Sequence, residues 1–219
     1  HYRSHRIAGP RKIFCLRRGD ELCGVIVYGY PSPAVYGRRL VLPKMAQREL
    51  NEKLSIISRV VVHPKYRTIG LGVKLVRETL PLAGTPYVEM VAVMAKYNPF
   101  AEKAGMRKVA EQPPPQEARK VAETLHNLGF NTQFLGSQHY VLDRLQALST
   151  KDLTEIRVAF IENPHPRFLK TFFPHEPFGK GKAYAEKMKT IEPERLAHQI
   201  KICAMLLQTK VYLFWRKEP

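Results

Sequence analysis

The sequence is short of cysteine, of long apolar runs and of acids. Three Cys in 219 residues, Cys15, Cys23 and Cys203, are odd in number and scattered. That argues against a secreted disulfide scaffold and for a reducing, cytoplasmic setting. No Cys-x-x-Cys occurs, and His1 and His5 fall in a basic arm rather than on a helix, so no structural zinc is expected. No run approaches the roughly 20 apolar residues of a membrane-spanning helix, and no signal-peptide pattern opens the chain. Apolar residues still make up 44%, enough for a packed core and too many for a disordered polymer.

The shortage of acid has the largest consequence. Against 36 Lys and Arg stand 19 Asp and Glu, a net charge of +17. Such a field favours an anionic partner: nucleic acid, an anionic cofactor or a membrane surface. The surplus is uneven. Residues 1–110 hold 20 Lys and Arg against 7 acids, and residues 111–219 hold 16 against 12. Residues 1–18 carry Arg3, Arg6, Arg11, Lys12, Arg17 and Arg18 with no acid. This reads either as a solvated arm or as an electrostatic footprint for a polyanion. The first residue is His1 rather than Met, which points either to a piece of a longer chain or to a trimmed one, and leaves room for an upstream domain.

Residues 12–17 and 21–30 flank Arg18-Gly19-Asp20 and predict a β-hairpin. Pro31 and Pro33 end its second strand, and the polar stretch to Glu49 is a functional loop or holds a short helix. The β-branched run 55–62 predicts a largely buried strand, broken at Pro64. Residues 70–80 have helical spacing, and residues 87–94 form a second buried strand. Strand, helix and strand make a βαβ unit whose strands are parallel or splayed neighbours. After Pro113-Pro114-Pro115, helices are expected at 116–128, 137–148, 150–161 behind Ser149 as N-cap, 183–190 and 193–208, with 163–181 irregular. Residues 210–215 read as a strand that returns to the first sheet. The division is therefore a core of 1–112, a helical insertion of 113–209 packed against it, and a final strand of 210–219.

The chemistry concentrates in Val60-Val61-Val62-His63-Pro64-Lys65-Tyr66-Arg67-Thr68-Ile69-Gly70-Leu71-Gly72. A strand ends at Pro64, and glycines open a helix behind a basic loop. Successive N–H groups at a helix start, aided by the helix dipole, make an anion cradle. Gly70 and Gly72 admit a diphosphate close to the backbone. The spacing Arg67-x-x-Gly70-x-Gly72, led by Val62-His63-Pro64, resembles the signature of the GNAT acyltransferase superfamily. The helix, the strand at 87–94 and the stretch from Asn98 to Gly105-Met106 follow the family's order.

The resemblance implies an α/β fold with a mixed central sheet and flanking helices. It implies acetyl-CoA as cofactor, its pyrophosphate held by Arg67, Thr68, Ile69, Gly70, Leu71 and Gly72, its pantetheine arm along Val60, Val61 and Val62, with Asn98 also at the cofactor. It implies direct attack of an acceptor amine on the thioester. Two departures bear on mechanism. Many members carry a Glu near the start of the strand before the loop, where this chain has Ile56-Ile57-Ser58-Arg59. Many place a Tyr four residues before the Gly of the closing Gly-Phe/Met, where this chain has Ala101. Tyr97 is the nearest phenol that could serve as acid, with a core or surface Tyr as the alternative. For the base, Glu89 inside Val88-Glu89-Met90-Val91 is either a desolvated carboxylate of raised pKa, or faces solvent, or pairs with Arg59. Arg59 and Ser58 are the candidate substrate contacts.

The run Ser58–Val62 also looks like the phage Mom DNA-modification branch and like archaeal GNAT domains fused behind an ABC-type ATPase. The expected function is N-acyl transfer to a nucleic-acid base, RNA preferred, given the basic first half. A protein lysine or small amine is the alternative acceptor, and a non-catalytic CoA- or nucleic-acid-binding module the alternative class.

Overall fold

The computed structural model describes residues 9–176 and 178–218, so Arg3 and Arg6 lie outside the described residues. The chain divides into two compact units, one of the first 112 residues with 210–219 and one of Pro113–Thr209.

The first unit is α/β. Six strands, β1 (Pro10–Arg18), β2 (Glu21–Gly29), β3 (Leu54–Val62), β4 (Tyr87–Ala92), β5 (Arg107–Gln112) and β6 (Lys210–Arg216), form one mixed sheet in the order β1-β2-β3-β4-β6-β5. Only β3 and β4 are parallel; every other neighbour is antiparallel. The hairpin turns at Gly19, whose φ of 58° suits a residue without Cβ. The last strand lies inside the sheet, between β4 and β5.

Period-two alternation sorts the sheet's two faces. Val211 and Leu213 of β6 join Val88 and Met90 of β4 under α2 (Leu71–Thr79) and α3 (Phe100–Lys103). Tyr212 and Phe214 join Leu54 on the other face, with Leu42 of the 31–46 loop and Leu50 of α1 (Gln47–Lys53). In β3 the alternation changes phase. Val27 faces Arg59 and Tyr28 faces Ile57, so Ser58 is the extra residue of a β-bulge, its hydroxyl donating to Val27 O at 3.1 Å. Ile57 reaches the α2 face before the bulge, and Val60 and Val62 reach it after. The C-terminal end of α2 is fixed to β2 by Tyr28 and Thr79, 2.8 Å apart, and burial pushes the Tyr28 phenol up to about 12.

The strand β1 corrects the reading of an arm over residues 1–18. From Pro10 on, the segment is an edge strand, and three of its cations are occupied. Arg11 donates to Ser55 Oγ and Asn51 O, Lys12 to Leu82 O, and Arg17 to Asp20 O.

The second unit contains α4 (Gln116–Asn127), α5 (Gln138–Gln146), α6 (Thr150–Glu162), α7 (Pro166–Leu169), α8 (Gly181–Lys189) and α9 (Pro193–Leu206) around its own apolar core. Ser149 caps α6 through a reciprocal capping box with Asp152. Cys203 is buried there, and its thiol is pushed up to about 12 by burial, which makes it inert. Among the described residues, no helix is long and apolar enough to cross a membrane.

Candidate functional site

Three elements build the site: the end of β3, the loop 63–70 and the start of α2. The strands β3 and β4 pair only over Leu54↔Tyr87, Ser55↔Val88 and Ile56↔Glu89. Beyond that point β3 continues to Val62 bonded to β2, and β4 continues to Ala92 bonded to β6. The two parallel strands thus part company, and among the described residues no strand pairs with the edge of Val60–Val62 that faces β4.

The chain then turns through a 3-10 turn, Pro64–Tyr66, whose N-cap His63 accepts from Lys65 N. Thr68 is the only non-glycine residue with positive φ, 70°, among the described residues. Gly70 follows at φ 86° as the N-cap of α2. Two left-handed residues so close turn the chain sharply into the helix. The first bond of that helix runs from Lys74 N to Gly70 O, which leaves the N–H groups of Leu71, Gly72 and Val73 without an intrahelical acceptor. No acid stands in the first turn. A Cβ at Gly72 would lie 3.7 Å from Phe100, so the start of α3 abuts the start of α2. Arg67 is exposed and donates to Val62 O at 3.3 Å, and Ile69 is 67% exposed.

Beside this helix start lies a groove of about 660 Å³ lined by Gly70, Val73, Lys74, Arg77, Glu78 and Lys103. Three cations face one acid. Arg77 Nη2 donates to Lys103 O at 2.7 Å and ties α2 to α3, while Lys74 lies 3.8 Å from Glu78. The arrangement can hold an anion with several phosphates: backbone N–H groups at one end, exposed ammonium groups along the side.

Below the loop, Glu21 at the start of β2 accepts from the Tyr66 hydroxyl and from Lys65 Nζ at 3.4 Å. Chiefly the Tyr66 hydrogen bond, then Lys65, holds the Glu21 carboxyl below its ordinary 4.5. The Tyr66 phenol is raised in turn, chiefly by Glu21. A depressed acid contributes above its unfolded pKa and fades as pH falls through the folded one; a raised phenol contributes until pH climbs past its ordinary 10.0. The stability difference between wild type and Glu21→Gln should therefore hold near neutrality and close as pH drops below about 4. Urea unfolding across pH checks this, and a difference constant from about pH 3 to 7 would contradict it.

Glu89 corrects the expectation of a solvent-facing carboxylate or of a pair with Arg59. It is wholly buried and its partner is Arg38, not Arg59: Arg38 Nε donates to Oε2 at 2.9 Å and Nη2 to Oε1 at 2.6 Å. Tyr212 adds a third donor at 2.9 Å. Burial first, then the Glu89 carboxylate, raises the Tyr212 phenol. The Arg38 Nη1 group donates to Ser32 O and Pro33 O, and the neighbouring Gly37 packs on the Tyr212 ring, where a Cβ would come within 2.7 Å. With both oxygens engaged and no exposed surface, Glu89 pins the 31–46 loop to the sheet and is closed to an acceptor. Arg38 gave no signal in the sequence, because one Arg in a polar loop looks like its neighbour Arg39.

The remaining candidates are placed as follows. Tyr97 is 74% exposed just after the β4 end, with Lys96 Nζ 5.9 Å from its ring centre, and Asn98 beside it is exposed. Since β3 and β4 run parallel, these residues and the Arg67–Gly72 loop belong to the same end of the sheet. Ser58 is used by the bulge, and Arg59 is half-buried opposite Val27. Ala101 is fully buried. Among the described residues, no three His, Cys, Asp or Glu converge on a metal position. The chain matches no protein-family model and no curated protein.

Proposed function

We propose that this chain is an acetyl-CoA-dependent N-acyltransferase of the GNAT type, acting on an amine of a nucleic-acid base, RNA before DNA. The observation that carries the reading is the parting of two parallel strands after Ile56↔Glu89, with an unblocked helix start and the cationic groove at the same end. The pyrophosphate would lie on the N–H groups of Leu71–Val73 with Arg67 at its side. The pantetheine amides would take the place of a strand beside Val60–Val62, on the edge where no described strand pairs.

In the reaction, the acceptor nitrogen's lone pair attacks the thioester carbonyl carbon. The N–C bond forms and the C–S bond breaks. A β3 N–H polarises the carbonyl oxygen as charge develops on it. Water takes the proton from the nitrogen, because Glu89 is sealed behind Arg38 and Tyr212. The Tyr97 phenol would protonate the departing sulfur, and water would restore the phenol's proton. The basic first unit suits a polyanionic acceptor better than a cationic lysine peptide.

A second reading has its own support. Glu89 is unavailable and Ala101 occupies the phenol position, as a CoA-binding module without turnover would have it. The experiment is acetyl-CoA turnover on total RNA, on a protein pool and on small amines, with wild type, Arg67→Glu and Tyr97→Phe. The catalytic reading predicts transfer to RNA. It predicts loss with Arg67→Glu through weaker CoA binding, and a roughly 100- to 10,000-fold slower step with Tyr97→Phe at unchanged CoA affinity. CoA binding without transfer to any pool would establish the second reading instead.

A further inference from the structure

The second unit carries a surface that the acyltransferase reading does not use. Its basic surplus is local. Residues 163–189 hold six Lys and Arg against two acids, while the rest of 113–209 holds seven against eight. All six cations, Arg167, Lys170, Lys180, Lys182, Lys187 and Lys189, are exposed. The two acids, Glu176 and Glu186, sit beside Lys180 and Lys189 and offset only part of the charge.

Aromatic rings are interleaved with these cations. Phe178 is 81% exposed, above every other exposed large apolar side chain among the described residues. Phe172 and Phe173 are half-buried, with Lys187 Nζ 4.8 Å from the Phe173 ring centre and 5.9 Å from that of Phe172. Arg195 of α9 also lies 5.9 Å from the Phe172 ring. An exposed phenyl ring costs solubility, and none of the described residues of its own unit covers it.

We propose that residues 163–176 and 178–189 form a docking surface for single-stranded nucleic acid, with Phe178 as a stacking platform and the six cations following the phosphates. The chemistry favours this occupant. Phosphates need cations spaced along a path, and unpaired bases need a free aromatic face. A duplex hides its base faces and would leave Phe178 unused. A lipid surface calls for several apolar side chains presented together, whereas here one ring protrudes and the half-buried Phe172 and Phe173 carry cations. The proposal does not rest on the acyltransferase reading, and either can fail alone.

The test is fluorescence anisotropy of the full chain with labelled U20 RNA and dT20 DNA, against a 20-base-pair duplex and anionic phosphatidylserine vesicles. Wild type is expected to bind one or both single strands more tightly than the duplex. Phe178→Ala is expected to weaken that binding about tenfold. Lys180→Ala with Lys182→Ala should flatten the slope of log affinity against log salt by about 1.4, two contacts at about 0.7 each. Lys151→Ala with Lys201→Ala, in the same unit outside this segment, should leave affinity within about twofold if the surface is local. Circular dichroism establishes that each variant is folded. Unchanged affinity in folded Phe178→Ala, a preference for duplex, or binding to vesicles without binding to either strand would overturn the proposal.

Discussion

Replacing Glu89 by Ala is expected to cost about 3–5 kcal/mol of stability, because it leaves the Arg38 guanidinium buried without its counter-charge. Arg38 is 5% exposed, and Glu89 takes two of its donors. Chemical denaturation of the single variants Glu89→Ala and Arg38→Ala measures this directly. The double variant Arg38→Met with Glu89→Leu should recover most of the loss, since an apolar pair of similar volume carries no stranded charge. Tyr212→Phe should cost less, about 1.5–3 kcal/mol for one hydrogen bond to a charged group. The pattern separates the two roles. A general base would show slow turnover in a folded protein of wild-type stability, whereas this pin shows itself in unfolding.

The second large effect concerns the groove beside α2. If CoA lies with its pyrophosphate on the helix start, its 3′-phosphate reaches the side lined by Lys74, Arg77 and Lys103. CoA should then bind about tenfold more tightly than dephospho-CoA, the size expected of one charge-assisted contact. Lys74→Ala with Lys103→Ala should remove that preference while leaving dephospho-CoA affinity close to wild type. Both lysines are exposed, so the fold should tolerate the change. Equal affinity of wild type for the two forms would put the phosphate elsewhere.

Much of the first unit was legible because its strands obey simple patterns. The unbroken apolar run Val211–Phe214 marks a strand buried on both faces, and such a strand belongs inside a sheet, where β6 lies. Gly19, Pro64 and Gly70 mark turns that the backbone uses. By contrast, β5 escaped notice. It is an edge strand with Val109 and Ala110 as its only apolar residues, too few for a period to appear. The bulge at Ser58 was also invisible, because a run of β-branched residues reads alike in either phase. The candidate site was half legible. The loop Arg67–Gly72 is a local motif, and local motifs can be read from order along the chain. The Arg38–Glu89–Tyr212 cluster joins positions far apart in sequence, and only the tertiary fold pairs them. The same holds for the groove, whose cations come from two helices.

Isothermal titration of acetyl-CoA into the whole chain tests the central claim most directly. The account predicts saturable one-to-one binding that is lost in Gly70→Glu, where a carboxylate would stand in the anion cradle, and weakened in Arg67→Glu. Absence of binding to wild type, or binding that Gly70→Glu leaves untouched in a folded protein, would contradict it.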